Sequence, residues 1–106
     1  MDYLGILNWG EKNLTGSDIL HLNLKKKWFD EIARGEKRKE YREYKAYWKK
    51  RLEGRNYEAI LFRNGYSSNA PEMLVEYRGL RRDGKSRKAD YVILLGRVLN
   101  KKRWRG

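Results

Sequence analysis

From residue 19 to residue 24 apolar and polar positions alternate. Leu20, Leu22 and Leu24 fall on one side of an extended chain, and Ile19, His21 and Asn23 on the other. That pattern predicts a strand, with His21 opposite the leucines as a partly buried, satisfied imidazole rather than a catalytic group. The period then changes. Trp28, Phe29, Ile32 and Ala33 recur at i, i+1, i+4 and i+5, one stripe of a helix. Gly35 follows where a helix-ending glycine belongs. In the charged run "EKRKEYRE" after it, extended geometry places Arg38, Glu40 and Arg42 on one face and Lys37, Lys39 and Tyr41 on the other. Lys37 sits at the glycine turn, where strict alternation need not hold.

Tyr44, Tyr47, Trp48, Arg51 and Leu52 have helical spacing, and "YEAILFRN" (57–64) is rich in strand-forming residues. "GYSSNAP" (65–71) is a loop holding the single proline. Two further strands, 72–80 and 91–99, flank a basic hairpin tip marked by Asp83 and Gly84. The order β-α-β-α-β-β-β predicts an α+β fold, an antiparallel sheet or small barrel with two helices packed on it. Residues 1–18 show no sustained period and read as an N-terminal extension, with Leu4, Ile6, Leu7 and Trp9 packed on the body. Residues 19–100 form one domain and 101–106 a basic tail. A chain of 106 residues builds one modest core. Trp28, Phe29, Trp48, Tyr57, Phe62 and Tyr91 are its expected aromatic contributors.

Charge changes the picture. Twenty-six Lys and Arg against fourteen Asp and Glu give a net charge of +12, a field that steers toward a polyanion, usually nucleic acid. Basic groups at 25–27, 49–51, 81–82, 85–88 and 101–105 would serve phosphate contacts. With no cysteine and His21 as the single histidine, disulfides, thiolate catalysis and Cys- or His-cluster metal sites are excluded. No cofactor or metal motif is present. The N-terminus lacks secretory-signal features and no apolar run approaches a membrane span, so a cytoplasmic protein with no membrane partner is expected.

The strand "LHLNL", the helix "WFDEIARGEK", the spacing of Gly35, Lys37, Glu40 and Arg42, the "FRNGY" of 62–66 and the closing "YVILLG" together resemble the ASCH domain of the PUA-like superfamily. The resemblance covers residues 19–100. It implies a small mixed β-barrel with two helices packed on it and a cleft beside the G-x-K-x-x-E-x-R signature. It also implies RNA or nucleobase chemistry, since the family includes RNA-binding proteins, a ribonuclease-like branch and small amidohydrolases acting on N(4)-acetylcytidine. In those hydrolases a lysine activates a threonine. Glu40 stands at the threonine position here, and the insertion carrying a later glutamate is missing, so that mechanism does not transfer.

A lysine and a glutamate in one enclosed cleft can act as matched acid and base, because burial lowers the first pKa and raises the second, bringing both toward neutrality. Taken with the resemblance, which is what sets this pair apart from a plain structural ion pair, the expected function is a small hydrolase cutting the amide bond of N(4)-acylated cytidine or cytosine. Glu40 activates water, and Lys37 polarises the carbonyl or protonates the leaving amine. Arg42 holds Glu40 ionised or contacts the base. Asn64 is expected to read a base edge, Tyr66 to stack on a pyrimidine and Ser67 to offer a hydroxyl. The expected ligand is a modified pyrimidine nucleoside or base, with RNA as a further candidate partner. A non-catalytic RNA-binding module and a ribonuclease are the alternatives. Spacing leaves open whether Glu72 and Glu76 face a cleft or solvent.

Overall fold

A computed structural model describes residues 7–9, 12–14, 18–84 and 90–105. Two short strands, β1 (Leu7–Trp9) and β2 (Lys12–Leu14), pair as an antiparallel ribbon in the segment where no period was visible. The expected packing of Leu4, Ile6, Leu7 and Trp9 lies outside the described side chains. The body follows in the predicted order: β3 (Ile19–Asn23), α1 (Lys26–Ala33), β4 (Lys39–Arg42), α2 (Ala46–Leu52), β5 (Ala59–Arg63), β6 (Glu72–Arg82) and β7 (Tyr91–Lys102). β3 to β7 form one curled sheet in the spatial order β3-β5-β6-β7-β4, with two helices, an α+β half-barrel.

The sheet is mixed, not antiparallel. β3 pairs parallel with β5, while the pairs β5–β6, β6–β7 and β7–β4 are antiparallel. A parallel pair needs a crossover, and here α1, β4 and α2 supply it. β4 leaves that crossover to pair at the far edge. The β6–β7 ladder shifts register between Leu74 and Val75, Val75 and Tyr77, and Tyr77 and Gly79, with Gly79 at φ +129°. Bulges bend a strand and increase its twist, so these shifts curl the long hairpin.

The core lies inside the curl. Leu20, Leu22, Phe29, Ile32, Ile60, Phe62, Met73, Val75, Tyr91 and Ile93 are buried together there. Ile19, Ala59, Leu61 and Leu74 form a smaller cluster on the sheet's other face, so the interior strand β5 is buried on both sides and reads as a continuous apolar run. Of the expected core aromatics, Phe29, Phe62 and Tyr91 are fully buried and Trp48 and Tyr57 pack against the core at its margin. Trp28 is not core. It lies one position off the Phe29, Ile32 and Ala33 stripe and is 40% exposed. His21 is exposed rather than partly buried. Protein packed around it, and then the guanidiniums of Arg51 and Arg63, still hold its pKa below the usual imidazole value against an opposing pull from Glu72.

The chain after β7 is anchored. Arg103 donates to the Ala70 carbonyl at 3.0 Å and to Glu72 at 3.1 Å, and the Trp104 indole N–H donates to Asp30 at 2.9 Å. Asp83 N–H closes on the Asp90 carbonyl at the predicted hairpin, whose basic positions 85–88 lie outside the described residues.

Candidate functional site

The turn after α1 aims the site. Gly35 N–H bonds the Ile32 carbonyl at 2.9 Å and Glu36 N–H bonds the Glu31 carbonyl at 2.9 Å, the two bonds of a Schellman stop. Gly35 adopts φ +77°, which a residue with a Cβ reaches only at a cost. Lys37 N–H also reaches the Glu31 carbonyl, at 3.2 Å, so the chain is still coiled back under the helix at Lys37. Lys37 thus precedes β4 and escapes its alternation.

Within β4, register decides direction. Glu40 pairs with Ile93 and Arg42 with Tyr91, both core residues of β7, so both side chains enter the half-barrel. Glu40 is 6% exposed. Its Oε2 accepts from Arg42 Nη2 at 2.8 Å, and its Oε1 lies 3.6 Å from Lys37 Nζ. A buried carboxylate costs several kcal/mol unless paired, and here two cations compensate it. Arg42 Nη2 also donates to the Asn23 carbonyl at 3.2 Å, spanning the gap between the edge strands β4 and β3.

Aromatic rings carry these cations. Lys37 Nζ stands 5.2 Å from the ring centre of Trp28 and 5.4 Å from that of Tyr41. The Arg42 guanidinium lies 4.9 Å over Trp48, which meets Tyr47 edge-on at 4.8 Å. Trp28, Tyr41 and Tyr47 are exposed. Cation–ring contacts at such distances are worth about 0.5–2 kcal/mol each, more as water is excluded.

Asn23 ties this cluster to the second predicted region. Its amide donates to the Gly65 carbonyl at 2.8 Å and accepts from Gly65 N–H at 3.2 Å, gripping the turn at two points. Asn64 donates to the Leu24 carbonyl at 2.9 Å. Its amide therefore holds the loop against the β3–α1 junction, where a free base-reading edge was expected. Tyr66 is 88% exposed. The Ser67 hydroxyl accepts from Asn69 N–H at 3.1 Å, and the Ser67 carbonyl accepts from Ala70 N–H and Arg63. Lys37, Glu40 and Arg42 are thus brought together, whereas Asn64 holds the loop to Leu24 and the Ser67 hydroxyl bonds within its own turn.

Glu72 is the second buried carboxylate, 3.0 Å from Arg63 Nε and 3.1 Å from Arg103 Nη2. Since Arg63 also holds Ser67 and Arg103 also holds Ala70, this triad pins the 64–71 loop to the end of β7. Glu76 sits nearer solvent. Bonds from Arg97 N–H and its guanidinium hold its carboxyl below the usual range. Among the described residues no group of three or more His, Asp or Glu could hold a metal ion. A surface hollow of about 460 Å³ opens between residues 52–58 and 77–80, lined by Arg55, Tyr57, Tyr77 and Arg78 among others, and includes no member of the Glu40 cluster.

Three contributors escaped sequence reasoning: Asn23, Trp28 and Trp48. The tryptophans were read as core because large apolar residues usually are. Position 28, one step off the helix stripe and preceded by three lysines, was the available signal. No protein-family model, curated protein or solved structure matches the chain. Among the described residues no helix is long and apolar enough to cross a membrane.

Proposed function

We propose that this chain is a nucleic-acid-binding module of PUA-like, ASCH-type architecture that receives an unpaired base beside Glu40. One observation carries the reading: the two cations that compensate the buried Glu40 each lie over aromatic rings, Lys37 over the exposed Trp28 and Tyr41 and Arg42 over the part-buried Trp48. Trp28, Tyr41 and Tyr47 offer faces on which bases stack, and the neighbouring cations track the phosphates. Glu40 supplies an acceptor for a base amino group. The net charge of +12 fits a polyanionic ligand better than a free nucleoside.

Hydrolysis of N(4)-acylcytidine is the second reading, favoured by the Lys37–Glu40 separation of 3.6 Å. Against it, both Glu40 oxygens already face cations, Oε2 bonded by Arg42 and Oε1 beside Lys37, and Ser67 lies in a separate turn where its hydroxyl accepts from Asn69 N–H. The deciding experiment is fluorescence anisotropy of a labelled single-stranded RNA across a salt series, alongside an absorbance assay of acylcytidine turnover. Binding that weakens steeply with salt and falls about tenfold or more in Trp28→Ala and Tyr41→Ala supports the module. Turnover lost in Lys37→Ala and Glu40→Ala, without RNA binding, would establish the hydrolase instead.

A further inference from the structure

Lys37 occupies an unusual position. Its ammonium faces two aromatic rings, Trp28 at 5.2 Å and Tyr41 at 5.4 Å, and the buried Glu40 carboxylate at 3.6 Å. Two ring faces and an anion around one point make a cage for a cation. Both rings stay 40–42% exposed, so the cage opens to solvent. The Lys37–Glu40 distance exceeds hydrogen-bond reach, so charge and the two rings, not a hydrogen bond to Glu40, hold the ammonium there. Trp28 carries a further cation, Lys27, at 4.7 Å.

We propose that Lys37 is the resident occupant of a cation cage formed by Trp28, Tyr41 and Glu40, and that its external ligand is a nucleotide whose base bears a fixed positive charge from N-alkylation, of the N7-methylguanine type. This rests on the nucleic-acid reading above.

Charge bookkeeping selects the ligand. A neutral base entering the cage expels the lysine and leaves Glu40 with Arg42 as its one remaining cation, a costly change for a buried carboxylate. A cationic base replaces the ammonium charge for charge. It also stacks on the rings more strongly than its neutral parent, because the ring quadrupole attracts it. Guanine-type N–H donors then meet the Oε1 that Lys37 vacates. A methylated-lysine peptide satisfies the cage but need bring no anion to a field set by Lys27, Lys39 and a net +12. A nucleotide brings its own anion. The ligand that fits is positive at the ring and negative at the phosphate.

The test is a titration of the full chain, followed by tryptophan fluorescence and calorimetry, with N7-methylguanosine monophosphate and with guanosine monophosphate. The methylated nucleotide is expected to bind about tenfold more tightly, the equivalent of one cation–ring contact. Trp28→Ala and Tyr41→Ala should each remove that preference. Lys37→Met should tighten binding of the methylated nucleotide, since the resident cation is gone. Equal affinity for the two nucleotides, with single-stranded RNA binding intact, would overturn the cage and leave the nucleic-acid reading standing. Weaker binding of the methylated nucleotide to folded Lys37→Met would also overturn it, because a displaced residue cannot be a contact. Failure of both nucleotides and of RNA to bind would sink both readings.

Discussion

Arg42→Met tests the Glu40 cluster most directly. It removes the guanidinium that lies 2.8 Å from Glu40 Oε2 and 3.2 Å from the Asn23 carbonyl, and keeps much of the apolar stem. The remaining cation, Lys37, is 3.6 Å from Glu40 and outside hydrogen-bond reach. The Glu40 and Arg42 side chains are 9% and 18% exposed, so water is poorly placed to take over the lost role. Removing one partner of a buried pair costs about 3–5 kcal/mol, against about 0–1 kcal/mol for a surface pair. Movement of Lys37 toward the carboxylate, and the residual exposure of Arg42, put the expectation near the lower end, at about 3 kcal/mol. That is a large part of the roughly 5–15 kcal/mol holding a domain together. Urea unfolding followed by tryptophan emission should show a lower midpoint with an unchanged slope. Adding Glu40→Gln should recover much of the loss, because the stranded charge goes with it, and the double-mutant cycle should give a coupling of about 1–3 kcal/mol. A loss below about 1 kcal/mol for Arg42→Met, or strict additivity of the two changes, would refute the argument from burial.

Gly35→Ala should destabilise by about 1–2 kcal/mol. A Cβ there meets nothing within 4 Å, so the cost is the left-handed backbone alone, and Gly35→Asn should recover part of it in the same urea assay. Tyr91 is pushed up to about 12 by burial and by its hydrogen bond to Glu53. Its folded form prefers the neutral phenol, so its contribution is complete below the unfolded value of about 10 and drains away as pH climbs toward the folded one. Alkaline melts should show that slope, and Tyr91→Phe should flatten it. Asp30 is held below the usual carboxylate range by hydrogen bonds from Lys26 and Trp104. Its contribution stands above the unfolded value and fades as pH falls through the depressed one. Trp104 emission should therefore shift in acid before global unfolding, and Asp30→Asn should abolish the pH-dependent shift.

Local pattern carried the elements whose cause is local. The alternation at 19–24, the helix stripe ending at Gly35 and the turn at Asp83 and Gly84 each reappear as strand, helix and hairpin. Glu40 and Arg42 share the face that alternation predicts, and Lys37 departs from it at the turn. What stayed hidden depended on distant partners. The parallel pairing of β3 with β5 requires a crossover whose middle strand, β4, pairs elsewhere, and no window of sequence reports that. Asn64 looked like a free amide because its acceptor, the Leu24 carbonyl, is forty positions away. Glu72 could not be placed because one partner, Arg63, lies across the loop it closes and the other, Arg103, lies beyond β7, thirty-one positions away. Trp28 was assigned to the core on size, and the one-step offset from the helix stripe outweighed size.

The bond from Arg42 to the Asn23 carbonyl has a consequence for the chain's behaviour among its own copies. An open sheet leaves two outer strands whose unpaired amides and carbonyls invite a neighbouring molecule to add on. Here those strands are short, four residues in β4 and five in β3, and a charged side chain bridges from one to the other. That bond ties the two borders at one point, and the β4 border also carries the exposed Lys39. Short edges, an edge lysine and this bridge all work against edge-to-edge pairing, and the Arg42 guanidinium alone supplies the bridge. Arg42→Met should therefore aggregate on storage at concentrations where the parent chain stays clear, even under conditions in which the variant is still folded.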